Sequence, residues 1–325
     1  MKKIAIISFL LIILLNACID VETPDNTPTL YNLVIPEGFP EMTIPASNPL
    51  SIEGVALGKK LYYDNILDKN QARACATCHL QEQSFSSQPD VLPHVNLGWN
   101  YNWLWKGDVQ GSLEDIMAFE VQHFFDTNLD NLNNHVDYPI LFKNAFGVDE
   151  ITYSEIEKAL AQFLRTLNSG NSKFDQVLRK EAEFTNEENL GFELFFTERG
   201  DCFHCHATAF FSDNQLHNNA LDANPEPGYY QITGDSLDYG KFKSPTLRNI
   251  AYTAPYMHNG KYATLKEVVD FYSEGLEYSP TVDPLMKQLS NGGIQLTSEE
   301  KTALVAFLKT LSDTEFIQNP EFADK

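Results

Sequence analysis

The strongest constraint on the fold of this 325-residue chain is a pentapeptide that occurs twice. It reads Cys75-Ala76-Thr77-Cys78-His79 and then Cys202-Phe203-His204-Cys205-His206. With 5 Cys and 8 His in the chain, composition alone yields a C-x-x-C-H about 0.002 times. The spacing suits attachment of a c-type haem: two thiols add to the vinyl groups and the histidine becomes the proximal iron ligand. One helical turn puts both sulfurs under one porphyrin edge and the imidazole beneath the iron. A zinc or dithiol-redox site could also use the cysteine pairs, but neither explains a histidine directly after each pair.

The flanking sequence is duplicated as well. Gly58-Lys59-Lys60-Leu61-Tyr62-Tyr63 precedes the first motif and Gly191-Phe192-Glu193-Leu194-Phe195-Phe196 the second. Ala159-Leu160-Ala161-Gln162-Phe163-Leu164-Arg165-Thr166-Leu167 returns as Ala303-Leu304-Val305-Ala306-Phe307-Leu308-Lys309-Thr310-Leu311. Each half therefore runs amphipathic helix, haem motif, long insert, closing helix, which is an internal duplication. Thr152-x-x-Glu155, Thr185-x-x-Glu188, Thr264-x-x-Glu267 and Thr297-x-x-Glu300 are capping boxes that mark helix starts. Ile156, Leu160, Phe163, Leu164 and Leu167 make one apolar face, and few runs alternate as strands. The expected fold is all-α: two tandem cytochrome c-like domains over 46–180 and 181–318, each with one covalent c-type haem.

The first residues read as an export signal. Lys2 and Lys3 precede an apolar run, Ile4 to Leu15, that is too short to span a membrane. The run ends Leu15-Asn16-Ala17-Cys18, the pattern of a bacterial lipoprotein, so residues 1–17 are expected to be removed and Cys18 to carry lipid. Residues 18–45 are polar and proline-bearing, and read as a tether and an extended arm, with ordered chain beginning near Asn48. Lipid and haem then account for all 5 cysteines, leaving none for a disulfide. The expected location is the periplasm-facing surface of a Gram-negative membrane. A formal charge of −22 argues against nucleic acid as a partner, because phosphate neutralisation needs Lys and Arg. The same charge can steer a basic redox partner.

Beyond the haem motifs, the chain resembles the bacterial dihaem cytochrome c peroxidase family, which includes MauG. The resemblance rests on Trp105 with Gly107, Leu113-Glu114, Tyr138-Pro139-x-Leu141-Phe142 and Asn171-Ser172-x-Phe174-Asp175. It continues in Lys243-Ser244-Pro245-Thr246-Leu247-Arg248-Asn249 and Ala254-Pro255-Tyr256-Met257-His258-Asn259-Gly260. It implies reduction of H2O2 to water, with peroxide at the N-terminal haem and electrons entering at the C-terminal one from a small cytochrome c or cupredoxin. It also implies Arg248 beside a haem, a homodimer, and Ca2+ held partly by carbonyls at Thr253-Ala254-Pro255.

The resemblance also nominates catalytic residues. Trp105 matches the tryptophan that relays electrons between the haems; read without the family it would be a core tryptophan. His94 is the candidate for the exchangeable ligand of the first haem, although against Trp105 it falls later than the family position. If it does not ligate, that haem is five-coordinate. Moving a proton between the peroxide oxygens needs a carboxylate or imidazole. Counting from Leu113-Glu114 brings Asp126 closest to the family glutamate, whereas Glu120 lies inside an apolar run where burial raises a carboxyl pKa, and is preferred. For the second haem the family ligand falls fourteen residues after the histidine matched by His258. Tyr272 stands there, with Met257 as the competing ligand. MauG uses a tyrosine, and a phenolate lowers the potential relative to a thioether. Three functions follow: a peroxidase, a MauG-like oxidase of a protein side chain, or a non-catalytic dihaem electron carrier.

Overall fold

The computed structural model describes residues 27–88 and 90–324, so the signal segment and Cys18 lie outside the described residues. The first half contains α1 (Ile52–Tyr63), α2 (Cys75–Cys78), α3 (Leu113–Phe119), α4 (Leu129–Asn133), α5 (Tyr138–Phe146) and α6 (Tyr153–Leu164). Then follow α7 (Lys173–Leu178), α8 (Asn186–Phe195), α9 (Phe203–His206), α10 (Tyr230–Thr233), α11 (Leu265–Glu274), α12 (Ser298–Lys309) and α13 (Thr314–Gln318). Among the described residues, strand is confined to two short antiparallel pairs, β1 (Asn102–Trp103) with β2 (Val109–Gln110) and β3 (Leu216–His217) with β4 (Phe242–Lys243). The four capping boxes read from the sequence open α6, α8, α11 and α12. Ser112–Asp115 and Ser172–Asp175 cap α3 and α7 in the same way.

The duplicated sequences cross each other in the same way in both halves. A Cβ placed on Gly58 would stand 1.9 Å from the Ala159 carbonyl oxygen, and one on Gly191 would stand 2.0 Å from that of Ala303. Only glycine lets α1 lie backbone to backbone on α6, and α8 on α12. Around the crossings lie two hydrophobic clusters. One gathers Leu57, Leu61, Leu160, Phe163 and Leu164. The other gathers Leu194, Phe195, Leu304, Phe307 and Leu308.

The chain ends tie the halves together. Phe174 packs in the second cluster, and Phe316 from α13 returns to the first. Phe322 follows it, and the Tyr63 hydroxyl donates to the Phe322 carbonyl at 2.7 Å. Ordered chain does not begin near Asn48 as expected, because residues from Thr27 are already fastened. The Thr29 hydroxyl donates to Glu53, and Met42 is buried. The ring of Phe39 packs against Trp99 from one half and Phe210 from the other. Its aromatic surface makes the arm part of the fold, since burying a large apolar side chain contributes roughly 2 kcal/mol.

Between the halves runs a buried polar seam. Ser169 Oγ donates to Asp313, Asn249 Nδ2 donates to Ser169 Oγ, and the Asp313 N–H donates to Asn249 Oδ1. Asn96 and Asn249 both adopt the left-handed conformation, and their N–H groups donate to the carbonyls of Leu167 and Leu311, equivalent residues of the repeat. Replacing Gly58 or Gly191 by alanine is expected to lower unfolding free energy by roughly 3 kcal/mol through overpacking at the crossing. Denaturant titration of each variant measures this, and unchanged midpoints would show that the crossings can open without cost.

Candidate haem sites

Each motif closes one turn of helix. The N–H of His79 donates to the Cys75 carbonyl at 3.0 Å, and that of His206 to the Cys202 carbonyl at 3.1 Å. The imidazoles are then oriented alike. Nδ1 of His79 lies 2.8 Å from the Phe85 carbonyl oxygen and Nδ1 of His206 lies 2.7 Å from that of Phe211. A carbonyl only accepts, so Nδ1 carries the proton and Nε2 keeps the lone pair that a metal needs. Desolvation lowers both imidazole pKa values, to about 4 for His79, which keeps the rings neutral.

The sulfur environment suits haem attachment better than zinc. Burial pushes the Cys75 thiol up, and the Cys202 thiol up to about 12, which disfavours the thiolates zinc requires and suits neutral thioethers. Beside Cys202, Cys205 and His206 opens a large cavity with an apolar wall from Phe195, Leu247, Val268, Leu304 and Leu308. His258 faces it with a buried Nε2 that has no hydrogen-bond partner, and its ring lies flat on Phe242 at 3.6 Å. An apolar cavity with an orphaned polar group is what a porphyrin with carboxylate edges would fill. Cys75, Cys78 and His79 would hold one haem, and Cys202, Cys205 and His206 the other.

Helix geometry aligns the opposing candidates. Glu120 stands eight residues after the N-cap Ser112 of α3, and Tyr272 stands eight residues after the N-cap Thr264 of α11. Each approaches the cysteines of its own half: Glu120 interacts electrostatically with Cys75, and Tyr272 with Cys205 and Cys202. A π-helical turn, Glu120–Phe124, begins at Glu120 and ends α3 there. Desolvation raises the Glu120 carboxyl to about 7. Asp126 is directed elsewhere: its carboxylate is ion-paired to Lys69 and 61% exposed. Burial raises the Tyr272 phenol to about 12, and Asn219 Nδ2 donates to its oxygen at 3.1 Å. The same amide nitrogen lies 3.7 Å from Met257 Sδ, so Tyr272 and Met257 line one cavity with His206.

His94 packs directly against His79. Its ring stacks on His79 at 3.5 Å and 19°, and its N–H donates to the carbonyl that holds His79 Nδ1. Trp105 follows β1 on the cavity wall, edge-on to His258 at 6.4 Å. Arg248 does not reach the cavity: its guanidinium donates to both oxygens of Asp175 at 2.9 Å and to the Ala209 carbonyl. Among the described residues, His, Cys, Asp and Glu side chains gather in two clusters with metal-ligand spacing, Cys205–Asp213–His217 and Glu198–Asp201–His204.

Three residues on this cavity are not among the site candidates read from the sequence, although Lys243 opens a stretch that carries the family resemblance. His217 is held between Asp283 at 2.6 Å and Asp213 at 2.7 Å. Burial alone would lower its pKa, but bonds to Asp213, Cys205 and Asp283 raise it to about 11, a fixed cation on the wall. Lys243 is buried, with Nζ donating to the Asn102 carbonyl at 2.6 Å and its N–H to that of Trp105 at 2.8 Å, so it clasps the tryptophan segment. Asn219, on the phenol, is the third. Apart from Asp213, four residues before His217, their partners are distant in sequence.

A profile of the di-haem cytochrome c peroxidases matches residues 52–183. The chain is 33% identical to the methylamine utilization protein MauG of Methylorubrum extorquens, over 85% of this chain and 82% of that protein. It is 29% identical to cytochrome-c peroxidase IdrP2 of Denitromonas iodatirespirans, over 83% and 84%. Among solved structures, a MauG-like protein associated with microbial copper homeostasis superimposes with a TM-score of 0.83 at 32% identity, over 90% of this chain and 99% of that one. The chain belongs to the dihaem cytochrome c peroxidase and MauG family, and is an oxidoreductase. The family carries c-type haems, for which the two motifs provide the attachment residues.

Folding raises the Glu120 carboxyl from 4.5 to about 7, so the unfolded chain releases this proton first as pH rises. The unfolded state therefore binds fewer protons between these values, and Glu120 increasingly destabilises the fold as pH climbs from 4.5 to about 7. Glu120→Gln should gain stability relative to the wild type between pH 4 and pH 8 in paired denaturant titrations. Parallel pH profiles would place Glu120 in solvent.

Proposed function

We propose that this protein reduces H2O2 to water at the first haem with electrons that enter through the second. Two electrons and two protons convert one H2O2 into two waters. The observation that carries this reading is the pairing of Glu120 with Tyr272 at equivalent helix positions. In the first half that position holds a carboxyl able to move protons near neutral pH, and in the second half a phenol able to bind iron. Bound haem supplies the redox-active iron at each site. Glu120, poised near pH 7, accepts a proton from one peroxide oxygen and returns it to the other, which becomes the leaving water. His79, neutral and fixed through the Phe85 carbonyl, holds its side of the site. Trp105 lies on the wall between Lys243 and His258, where an indole can pass electrons from one half to the other.

Electrons would come from a small exported redox protein, a cytochrome c or a cupredoxin, and the acidic net charge favours a basic one. The protein would act facing the periplasm, anchored through lipid on Cys18, as two cytochrome c-like domains. No helix among the described residues is long and apolar enough to cross a membrane.

A second reading, peroxide-dependent oxidation of a side chain on a partner protein, is favoured by Tyr272. A phenolate on the second iron stabilises its ferric form and lowers its potential, which makes that site a poor electron acceptor and a better store of oxidising equivalents. The likeness to MauG and to a MauG-like protein points the same way.

Glu120→Gln should lower peroxide-dependent kcat about 100-fold and remove the limb of the pH–rate profile that rises through pH 7 in the wild type. Retention of full activity would exclude Glu120 as the proton carrier. Tyr272→Phe should change the ferric EPR signal of the second haem and raise its potential, whereas Met257→Leu should leave both unchanged. The converse pattern would assign the iron to Met257.

A further inference from the structure

The two halves match residue for residue around their iron-binding histidines. The glycine crossings pair Tyr62 with Phe195 and Phe163 with Phe307, and the carbonyls that orient the imidazoles pair Phe85 with Phe211. Ring distances agree: Tyr62–Phe163 is 5.3 Å and Phe195–Phe307 is 5.1 Å, Tyr62–Phe85 is 6.2 Å and Phe195–Phe211 is 5.7 Å. The N–H groups of His94 and Leu247 donate at 3.2 Å to the two orienting carbonyls, which pairs these residues as well. Against this common frame the halves differ at two adjoining positions. The second half has Phe195 and Leu247, both apolar. The first half has Tyr62, fully buried, and His94, with the phenolic oxygen 3.2 Å from His94 Nδ1.

Neither residue is used in haem attachment or in handling peroxide on the Glu120 side. The Tyr62 hydroxyl lies against His94 Nδ1 at 3.2 Å, so the phenol faces a ring nitrogen that can take its proton. The His94 ring is stacked on His79, which places the pair in direct contact with the iron ligand. Tyr63, edge-on to Tyr62 at 5.3 Å, leads outward to the C-terminal tail, and its hydroxyl donates to a carbonyl rather than to a base.

We propose that Tyr62 and His94 form a redox-active pair on the proximal side of the first haem, a reading that rests on peroxide reacting there. When H2O2 draws electrons and no donor supplies them, the Tyr62 ring gives up one. Its O–H bond breaks and the proton passes to His94 Nδ1, where an N–H bond forms. A neutral phenoxyl radical remains beside an imidazolium; Tyr62 supplies one of the two electrons that convert H2O2 to two waters, the bound haem would supply the other, and the two protons come from solvent. Tyr63 has no base to take its proton, so the radical stays on Tyr62.

The test is freeze-quench EPR of the diferric holoprotein mixed with H2O2 without an electron donor, with absorption of the haem Soret band recorded in parallel. The wild type and Tyr63→Phe should develop a tyrosyl signal that narrows on ring deuteration of tyrosine. Tyr62→Phe should lose it, and His94→Leu should lose it or leave it strongly diminished. Both variants copy the residues of the second half, Phe195 and Leu247, at sites of the same shape, and covalent haem content reports their folding. An equal signal in Tyr62→Phe or His94→Leu would overturn the pair. A peroxide-induced Soret change in the wild type without any tyrosyl signal would overturn the pair while leaving peroxide reduction intact. A Soret band unmoved by peroxide would overturn both.

Discussion

Everything in this molecule hangs on a backbone contact made twice, where Gly58 meets the Ala159 carbonyl and Gly191 meets that of Ala303. Because the helices touch without an intervening side chain, the residues one turn on, Tyr62 and Phe195, are pushed onto the aromatic cluster behind the iron-binding histidine. The crossing thereby sets the depth at which Phe85 and Phe211 sit, and their carbonyls orient His79 and His206.

A duplicated frame lets chemistry be divided by changing few residues. Eight residues after the N-caps of α3 and α11, Glu120 stands in one half and Tyr272 in the other. Behind the iron ligand, Tyr62 and His94 replace Phe195 and Leu247. The first half is thus polar on both sides of its site, with a carboxyl near neutrality and a phenol–imidazole pair. The second has apolar Phe195 and Leu247 behind its imidazole, and its polar groups, among them Asn219, His217 and His258, lie elsewhere on the cavity. Such a difference suits one site to proton-coupled chemistry and the other to storing or passing electrons.

The halves are held in fixed relation by contacts that are costly to break. Arg248 and Asp175 form a buried two-bond ion pair, and removing either partner would strand a charge, at roughly 3–5 kcal/mol. Phe39 from the arm lies under the Arg248 guanidinium at 4.6 Å, and Lys243 holds the segment carrying Trp105 through both its N–H and its ammonium. The electron relay proposed for Trp105 would need constant distances, and these contacts would supply them.

What the sequence by itself determined was whatever depends on local spacing: the two haem motifs, the capping boxes, the all-helical duplication and the suspicion attached to Glu120 within an apolar run. Those features are set within one or two helical turns. The arm, the surface position of Asp126, the engagement of Arg248 with Asp175 and the stacking of His94 on His79 required the tertiary structure. In each case the deciding partner lies far along the chain or belongs to the other half. The equivalence of Glu120 with Tyr272 belongs with them, because the intervening inserts differ and only the packed helices show that the two residues face the same way.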